Sequence, residues 1–297
     1  MRNNRNANIL RAKQSKNDEY YTLYEDIAEE VRAHTQHNPD VFRGKTIFCP
    51  CDDPDRSNFT KYFMDNFESL GLKRLISTCM VTVGRGKLLI RDSSGVERRL
   101  LQNSGDFRTE EIRGYRDEAD VIITNPPFSL LRAFTRWIIE AKKEFLIVAS
   151  VNTICSKSMF PFVRDGKAWL GYNHIKDFYT PYNGYKEVTS IGCCCWLTNL
   201  FVEPKPPMPL RTVQEIRGTP KLKSKLRGRY LMKYDNYDIA EVPTVRAIPS
   251  DYSEPMGVPV NFMYLYSPEQ FELLGISRWD TRLNGVRIYR RVIIRKR

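Results

Sequence analysis

Ile122-Ile123-Thr124-Asn125-Pro126-Pro127-Phe128-Ser129 ends an apolar segment on an amide, two prolines and an aromatic ring. Proline removes a ladder donor and fixes φ, so a strand running through Ile122 and Ile123 must stop at Asn125, and the chain leaves the sheet stiffly. Upstream, Asp120-Val121-Ile122-Ile123-Thr124 has the near-continuous apolar character of a parallel strand buried on both faces. Downstream, Leu131, Phe134, Trp137 and Ile138 recur at helical spacing within Leu130 to Lys143. Strand, stiff loop and helix in succession place Asn125 at the carboxyl end of a parallel strand, the edge at which open α/β sheets bind ligands.

The same alternation extends outward. Residues 18–34 form an acidic, helix-like stretch. After the Arg43-Gly44 turn, Lys45-Thr46-Ile47-Phe48-Cys49-Pro50 reads as a short strand, and a helix from Ser57 carries Phe59, Tyr62, Phe63 and Phe67 on one face. Leu72 to Cys79 reads as a second strand, Val96 to Leu101 as part of a hairpin-like insertion, and Phe145 to Ser150 as a further buried strand. Strands alternating with helices predict an α/β fold with a doubly wound, mostly parallel sheet. The pattern breaks at Glu203-Pro204-Lys205-Pro206-Pro207-Met208-Pro209, so residues 1–202 are expected as one domain and 203–297 as a second region.

That second region is basic. The chain has 47 Lys plus Arg against 35 Asp plus Glu, a net charge of +12, and residues 201–297 contribute 18 basic against 10 acidic side chains. Such an excess is the electrostatic footprint of a phosphate backbone, although a charge run can also be a solvated surface. The densest cluster is Lys221, Lys223, Lys225, Arg227 and Arg229, and the chain closes on Arg290, Arg291, Arg295, Lys296 and Arg297. No stretch has the roughly 20 apolar residues a bilayer span requires, and the Arg/Asn-rich start has no signal-peptide core, so a cytoplasmic protein is expected. Of seven cysteines, Cys193, Cys194 and Cys195 are consecutive. That spacing fits neither a zinc site nor a disulfide framework, and reduced, small hydrophobes in a strand from Ile191 to Leu200 are expected. His34, His37 and His174 show no metal-binding spacing, and no metal is expected.

Four short segments carry chemistry. The Asn125 amide oxygen and the Pro126 carbonyl can both accept hydrogen bonds from one exocyclic amino group, while Phe128 offers a face for a heteroaromatic ring. Alone, Asn-Pro-Pro is also an ordinary strand-ending turn. The loop Cys51-Asp52-Asp53-Pro54-Asp55 follows the first strand without any glycine between Thr46 and Leu70, and its adjacent carboxylates repel phosphate at contact distance. They suit hydroxyls and a positive charge, as on S-adenosylmethionine; alternatively Asp53 or Asp55 caps the helix near Ser57. Ser104-Gly105-Asp106-Phe107 pairs a carboxylate with an aromatic, suited to an adenine amino group and ring. Near the start, Tyr20, Tyr21 and Thr22 can close over a cofactor or simply precede an amphipathic helix.

The ordered set Asn17-Asp18-Glu19-Tyr20-Tyr21-Thr22, Cys49-Pro50-Cys51-Asp52-Asp53-Pro54 with Ser57-Asn58-Phe59, Gly105-Asp106-Phe107 and Asn125-Pro126-Pro127-Phe128 resembles the EcoRI-type DNA adenine-specific (N6) methyltransferases. The resemblance continues through Asn183-Gly184-Tyr185-Lys186 and Ser267-Pro268-Glu269-Gln270-Phe271. It implies a class I S-adenosylmethionine-dependent methyltransferase fold, with S-adenosylmethionine as donor, adenine in double-stranded DNA as acceptor, and a C-terminal DNA-recognition region. It further implies that Tyr20, Tyr21 and Thr22 lie near the donor's methionine end, and that Cys49, Asp52, Asp53 and Pro54 form its first loop. Asp106 and Phe107 then meet its adenine, and Asn125, Pro126, Pro127 and Phe128 hold the target base, with Asn125 also near the donor. The basic residues 221–229 are the expected DNA contacts, and a monomer is expected. The alternatives are methylation of RNA or of another amino group, and a non-catalytic DNA-binding regulator.

Overall fold

The computed structural model describes residues 21–175, 177–182, 185–190 and 192–297, with only the backbone described between 180 and 190. Tyr20 and the rest of Asn17 to Tyr20, like Asn183-Gly184, lie outside the described residues. The chain divides into two compact units: Met1–Thr153 with Ala168–Val202, and Ile154–Lys167 with Glu203–Arg297. The sequence reading keeps residues 154–167 with the first domain, whereas the fold gives them to the second.

In the first unit the elements run β1 (Tyr21–Thr22), α1 (Tyr24–His37), β2 (Thr46–Cys49), α2 (Asn58–Asp65), β3 (Arg74–Cys79), β4 (Lys87–Asp92), β5 (Gly95–Leu100), α3 (Glu110–Glu118), β6 (Val121–Thr124), α4 (Leu131–Ala141) and β7 (Glu144–Ser150). After the short α5 (Phe160–Arg164) of the second unit, the first resumes with β8 (Trp169–His174), β9 (Asp177–Tyr182), β10 (Tyr185–Ser190) and β11 (Cys194–Thr198). An eight-stranded sheet has the order β5-β4-β3-β2-β6-β7-β11-β8. Its four central strands, β3, β2, β6 and β7, are parallel. Antiparallel partners extend both sides, β4 with β5 and β11 with β8, so the sheet is mixed and its parallel strands are confined to the middle.

The order sets the site. From β2 the chain moves out to β3, then returns across β2 to lay down β6 and β7, so the winding reverses between β2 and β6. Ligands of doubly wound folds lie outside the carboxyl ends of the strands at such a reversal. The strands form here because their side chains are covered: Ile47, Leu75, Ile123, Leu146 and Val148 join Phe59, Phe63 and Trp196 in one core cluster. Ser57 caps α2, its hydroxyl accepting from the Phe59 N–H at 3.0 Å. Neither Asp53 nor Asp55 is the cap. Helix α4 buries Leu131, Phe134, Trp137 and Ile138 as its spacing predicts, and ends on Lys142 in the left-handed conformation at φ 53°. A separate three-stranded sheet, β1-β9-β10, pairs Tyr21 with Tyr179 and Thr22 with Phe178.

The second unit contains α6 (Val213–Gly218), α7 (Lys223–Leu226), β12 (Lys233–Tyr234), β13 (Tyr237–Glu241), β14 (Met256–Pro259), β15 (Phe271–Ile276), β16 (Arg282–Leu283), β17 (Val286–Arg287) and β18 (Arg291–Lys296). A five-stranded sheet of order β12-β13-β14-β18-β15 is its frame, and β16 and β17 form a separate two-stranded ribbon. Across the sheet, Arg291 of β18 donates to both oxygens of the fully buried Glu241 carboxylate of β13, with Nη2 at 2.7 Å, and the Tyr234 hydroxyl of β12 donates to Oε2 at 2.7 Å. The pair is sustained because each partner's charge and hydrogen-bonding groups are met by the other.

No helix among the described residues is long and apolar enough to cross a membrane. All seven cysteines are free thiols. Cys194 and Cys195 are buried in β11, which begins one residue after Cys193.

Candidate active site

The carboxyl ends of β2, β3 and β6 present three loops, residues 50–57, 80–86 with 101–107, and 125–130, and the first and last are tied through one buried side chain. Asp52 is 4% exposed. Its Oδ1 accepts from the Ser57 hydroxyl at 2.6 Å and its Oδ2 from the Thr124 hydroxyl at 2.5 Å, and the Asn125 backbone N–H donates to the same carboxyl. Burial pushes Asp52 up to about 7, against the pull of those three hydrogen bonds. The residue expected to face a ligand therefore turns inward, and its observed work is to fix Asn125 relative to α2. Ser57 and Thr124 are named in the sequence only as a helix start and a strand end, without a role at the site. The signal was present, since one is the helix cap and the other is the last strand residue before the amide.

Asn125 sits half-buried at the strand end, Pro126 is buried, and Pro127 and Phe128 are half-buried. Phe128 packs edge-on against Phe178 of β9, centroids 6.3 Å apart, so its ring is oriented from behind. Strand β9 also reaches the first loop, where the Tyr179 hydroxyl donates to the Arg56 carbonyl at 3.3 Å, and the Tyr21 and Tyr179 rings stack at 5.2 Å. Asn58, at the start of α2, donates to the Thr22 carbonyl at 2.8 Å. The Thr22 hydroxyl is 1% exposed and has no hydrogen-bond partner among the described residues. A buried hydroxyl without a partner costs about 1–3 kcal/mol, which a polar ligand atom would recover.

Asp53 lies in the same loop with its carboxylate 3.2 Å from the Lys87 ammonium, and Asp55 accepts from Lys87 and Arg98 at 2.7 Å each. Pro54 is buried beside them. Asp106 is brought to this edge by a tight backbone approach: Gly105 has φ 84°, and a Cβ there would stand 2.2 Å from the Cys79 carbonyl oxygen at the end of β3. The Arg108 guanidinium, bonded to both Asp106 oxygens, holds that carboxyl below its usual range.

Two of the expected residues have buried side chains. Cys49 is fully buried in the core cluster, because as the last residue of β2 it faces the helices. Its thiol is pushed up by burial and then by the Asp52 charge. Phe107 is 4% exposed and packs edge-on against Phe134 at 5.2 Å and Trp137 at 5.6 Å, so the apolar face of α4 takes up the ring expected on a ligand. Asp53, Asp106, Asn125 and Phe128 keep partial exposure at the edge, and the buried Thr22 is tied to the start of α2 through Asn58. Their chemistry, carboxylates and a hydroxyl with no phosphate cradle, fits a ligand with hydroxyl and cationic groups.

In the second unit, Lys221, Lys223, Lys225, Arg227 and Arg229 are all exposed, while Leu222, Leu226 and Tyr230 of the same segment are buried. None of the five is in an ion pair among the described residues. An open cavity of about 410 Å³ is lined by Arg217, Lys223, Arg227, Arg229, Tyr230 and Met232 among others. No group of His, Cys, Asp and Glu among the described residues could hold a metal ion.

A family model described as adenine-specific methyltransferase EcoRI matches residues 8–87 and 85–297. The type II methyltransferase M.EcoRI of Escherichia coli is 34% identical over all of this chain and 98% of its own length. The type II methyltransferases M.MgeORF184P of Mycoplasma genitalium and M.MpnI of Mycoplasma pneumoniae are 31% and 30% identical, covering 96% and 89% of this chain and 98% and 84% of their own. No solved structure matches. With the sheet reversal, the Asp52 tie and the Asn-Pro-Pro-Phe loop in place, the chain belongs to the EcoRI family of adenine-specific methyltransferases.

Proposed function

We propose that this chain transfers a methyl group from S-adenosylmethionine to the exocyclic amino nitrogen of an adenine at a specific site in double-stranded DNA, the modification half of a restriction-modification pairing. The observation that carries the reading is the Asp52 carboxyl, which locks the first loop and the Asn125 loop to each other at the sheet reversal. Family membership supports the methyl transfer and the adenine. Thr22, Asp53 and Asp106 would hold the donor, which when bound supplies an electrophilic sulfonium methyl.

The adenine amino lone pair is delocalised into the ring, so the protein must draw the nitrogen toward a tetrahedral geometry. The Asn125 amide oxygen and the Pro126 carbonyl do this by accepting both N–H bonds, an interaction that strengthens as the nitrogen becomes cationic. The target nitrogen cannot be reached inside a duplex, so the base leaves the stack and Phe128, braced by Phe178, replaces the lost stacking. The nitrogen would gain the methyl as its bond to the donor sulfur breaks and leaves a neutral thioether, and the extra proton on nitrogen then passes to water, so Asn125 need not act as a base. Two bound reactants held in line gain much of their rate from position alone. The test is competition: duplex DNA, single-stranded RNA and a protein mixture offered together with labelled donor. Label in DNA upholds the proposal, label in RNA or protein alone replaces the acceptor, and absence of donor binding leaves a DNA-binding regulator.

A further inference from the structure

Residues 278–290 of the second unit form the ribbon β16–β17 and its flanks. Its turn residues Asn284 and Gly285 both have positive φ, 52° and 74°, the mirror-image turn whose twist matches a hairpin. The Asp235 carboxylate accepts both turn N–H groups, from Asn284 at 2.8 Å and Gly285 at 2.7 Å, which fixes the tip. Leu283 and Ile288 point inward and pack with Tyr234 in a small core of their own.

The outward face is both aromatic and basic. Trp279 is 65% exposed and Tyr289 84% exposed, with Arg282, Val286 and Arg287 exposed between them and Arg278 and Arg290 exposed at either flank. None of these four arginines is in an ion pair among the described residues. The Arg287 guanidinium lies 5.3 Å from the centre of the Trp279 ring and its Nε donates to the Trp279 carbonyl, while Arg282 gives one N–H to Gly285, so most of their donors face outward. Large exposed aromatics on a pinned ribbon are unusual for a surface that meets only water. The ribbon is also continuous with the cavity described above, since the Asn284 amide nitrogen lies 3.8 Å from the sulfur of Met232, one of its lining residues.

We propose that this ribbon docks in the major groove of duplex DNA, its arginines reaching phosphates and base edges and Trp279 and Tyr289 packing on sugars and bases. Charge selects the partner: four arginines with no ion pair among the described residues, of which Arg290 spends one N–H on the Cys155 carbonyl, adjoin a cavity with Arg217, Lys223, Arg227 and Arg229 and suit a polyanion. Dimensions agree, because two strands about 4.8 Å apart with their side chains enter a groove about 12 Å wide. The inference rests on duplex DNA being the substrate, and it extends the contact surface beyond residues 221–229.

The experiment measures full-length protein binding to a random-sequence fluorescent duplex across a KCl series. Arg282→Gln with Arg287→Gln should flatten the slope of log affinity against log salt by between one and two, at about 0.9 per lost phosphate contact. Trp279→Ala should weaken binding about tenfold with the slope kept, as loss of a stacking face does. Both variants should retain thermal stability and donor affinity. If either variant melts early, Arg278→Gln, whose head has no partner among the described residues, carries the test alone with a slope change near one. Variants that bind like the parent while the parent methylates DNA would overturn the ribbon assignment and leave the function standing. A parent that neither binds nor methylates duplex DNA removes the reading beneath it, and self-association abolished by Trp279→Ala with DNA binding intact would make the ribbon a protein interface instead.

Discussion

Replacing Asp52 with Asn removes one ionisable group at the point where two loops are joined, and the consequence depends on pH with a definite sign. Burial raises Asp52 from 3.8 to about 7 in the folded chain, whereas the unfolded chain keeps the ordinary value. The folded state thus binds this proton more tightly. The associated stability is fully present below the unfolded pKa and is lost as pH rises through about 7. Between pH 5 and pH 8 the loss amounts to about 3 kcal/mol, from about 1.4 kcal/mol for each unit between the two titrations within that window. Asn keeps an acceptor for Ser57 or Thr124 but carries no proton equilibrium. Urea unfolding of parent and variant at pH 5, 6, 7 and 8 should show the parent losing stability relative to Asp52→Asn across the series, with the steepest change between pH 5 and 7. Parallel pH profiles for the two proteins would mean that the carboxyl titrates as if it were in water and is not raised by burial.

Other outcomes follow from single contacts. Asn125→Ala should lower kcat by about 10²–10³-fold and leave DNA affinity nearly unchanged, because the lost acceptor matters most in the transition state; a kcat close to the parent's would remove Asn125 from the chemistry. Gly105→Ala combines a left-handed φ with a Cβ 2.2 Å from the Cys79 carbonyl, and should cost at least about 2 kcal/mol in thermal unfolding, whereas an unaffected melting temperature would mean the loop simply shifts. Glu241→Ala strands the Arg291 charge and the Tyr234 hydroxyl and should cost about 3–5 kcal/mol, while Glu272→Ala, at the exposed Arg295 pair, should cost under about 1 kcal/mol; equal effects in urea titrations would contradict the burial argument.

Much of the first unit is readable from short patterns because its information is local. Thr46–Cys49, Val121–Thr124 and Glu144–Ser150 are apolar runs followed or preceded by helical spacing, and the two prolines after Asn125 mark the strand end unambiguously. Pairings over long separations are not readable in this way. That β11 and β8 would join beside β7 in antiparallel sense depends on register, which a one-residue slip inverts. The same limit applies to residues 154–167, whose short α5 carries too few positions to reveal which core it serves. Within the site, the residue types were legible and the directions of their side chains were not. Asp52 and Asp53 are neighbours in sequence, yet one is consumed by Ser57, Thr124 and Asn125 and the other meets Lys87 nearer the surface. Phe107 reads as a ligand platform, and the sequence does not reveal that its ring packs edge-on against Phe134 and Trp137.

The most direct test incubates the protein with labelled S-adenosylmethionine and unmethylated duplex DNA, then digests the DNA to nucleosides. Label is expected in N6-methyladenine, abolished or nearly so in Asn125→Ala. Label in a methylated cytosine, or none in DNA although the donor binds, would contradict the proposed transfer to adenine.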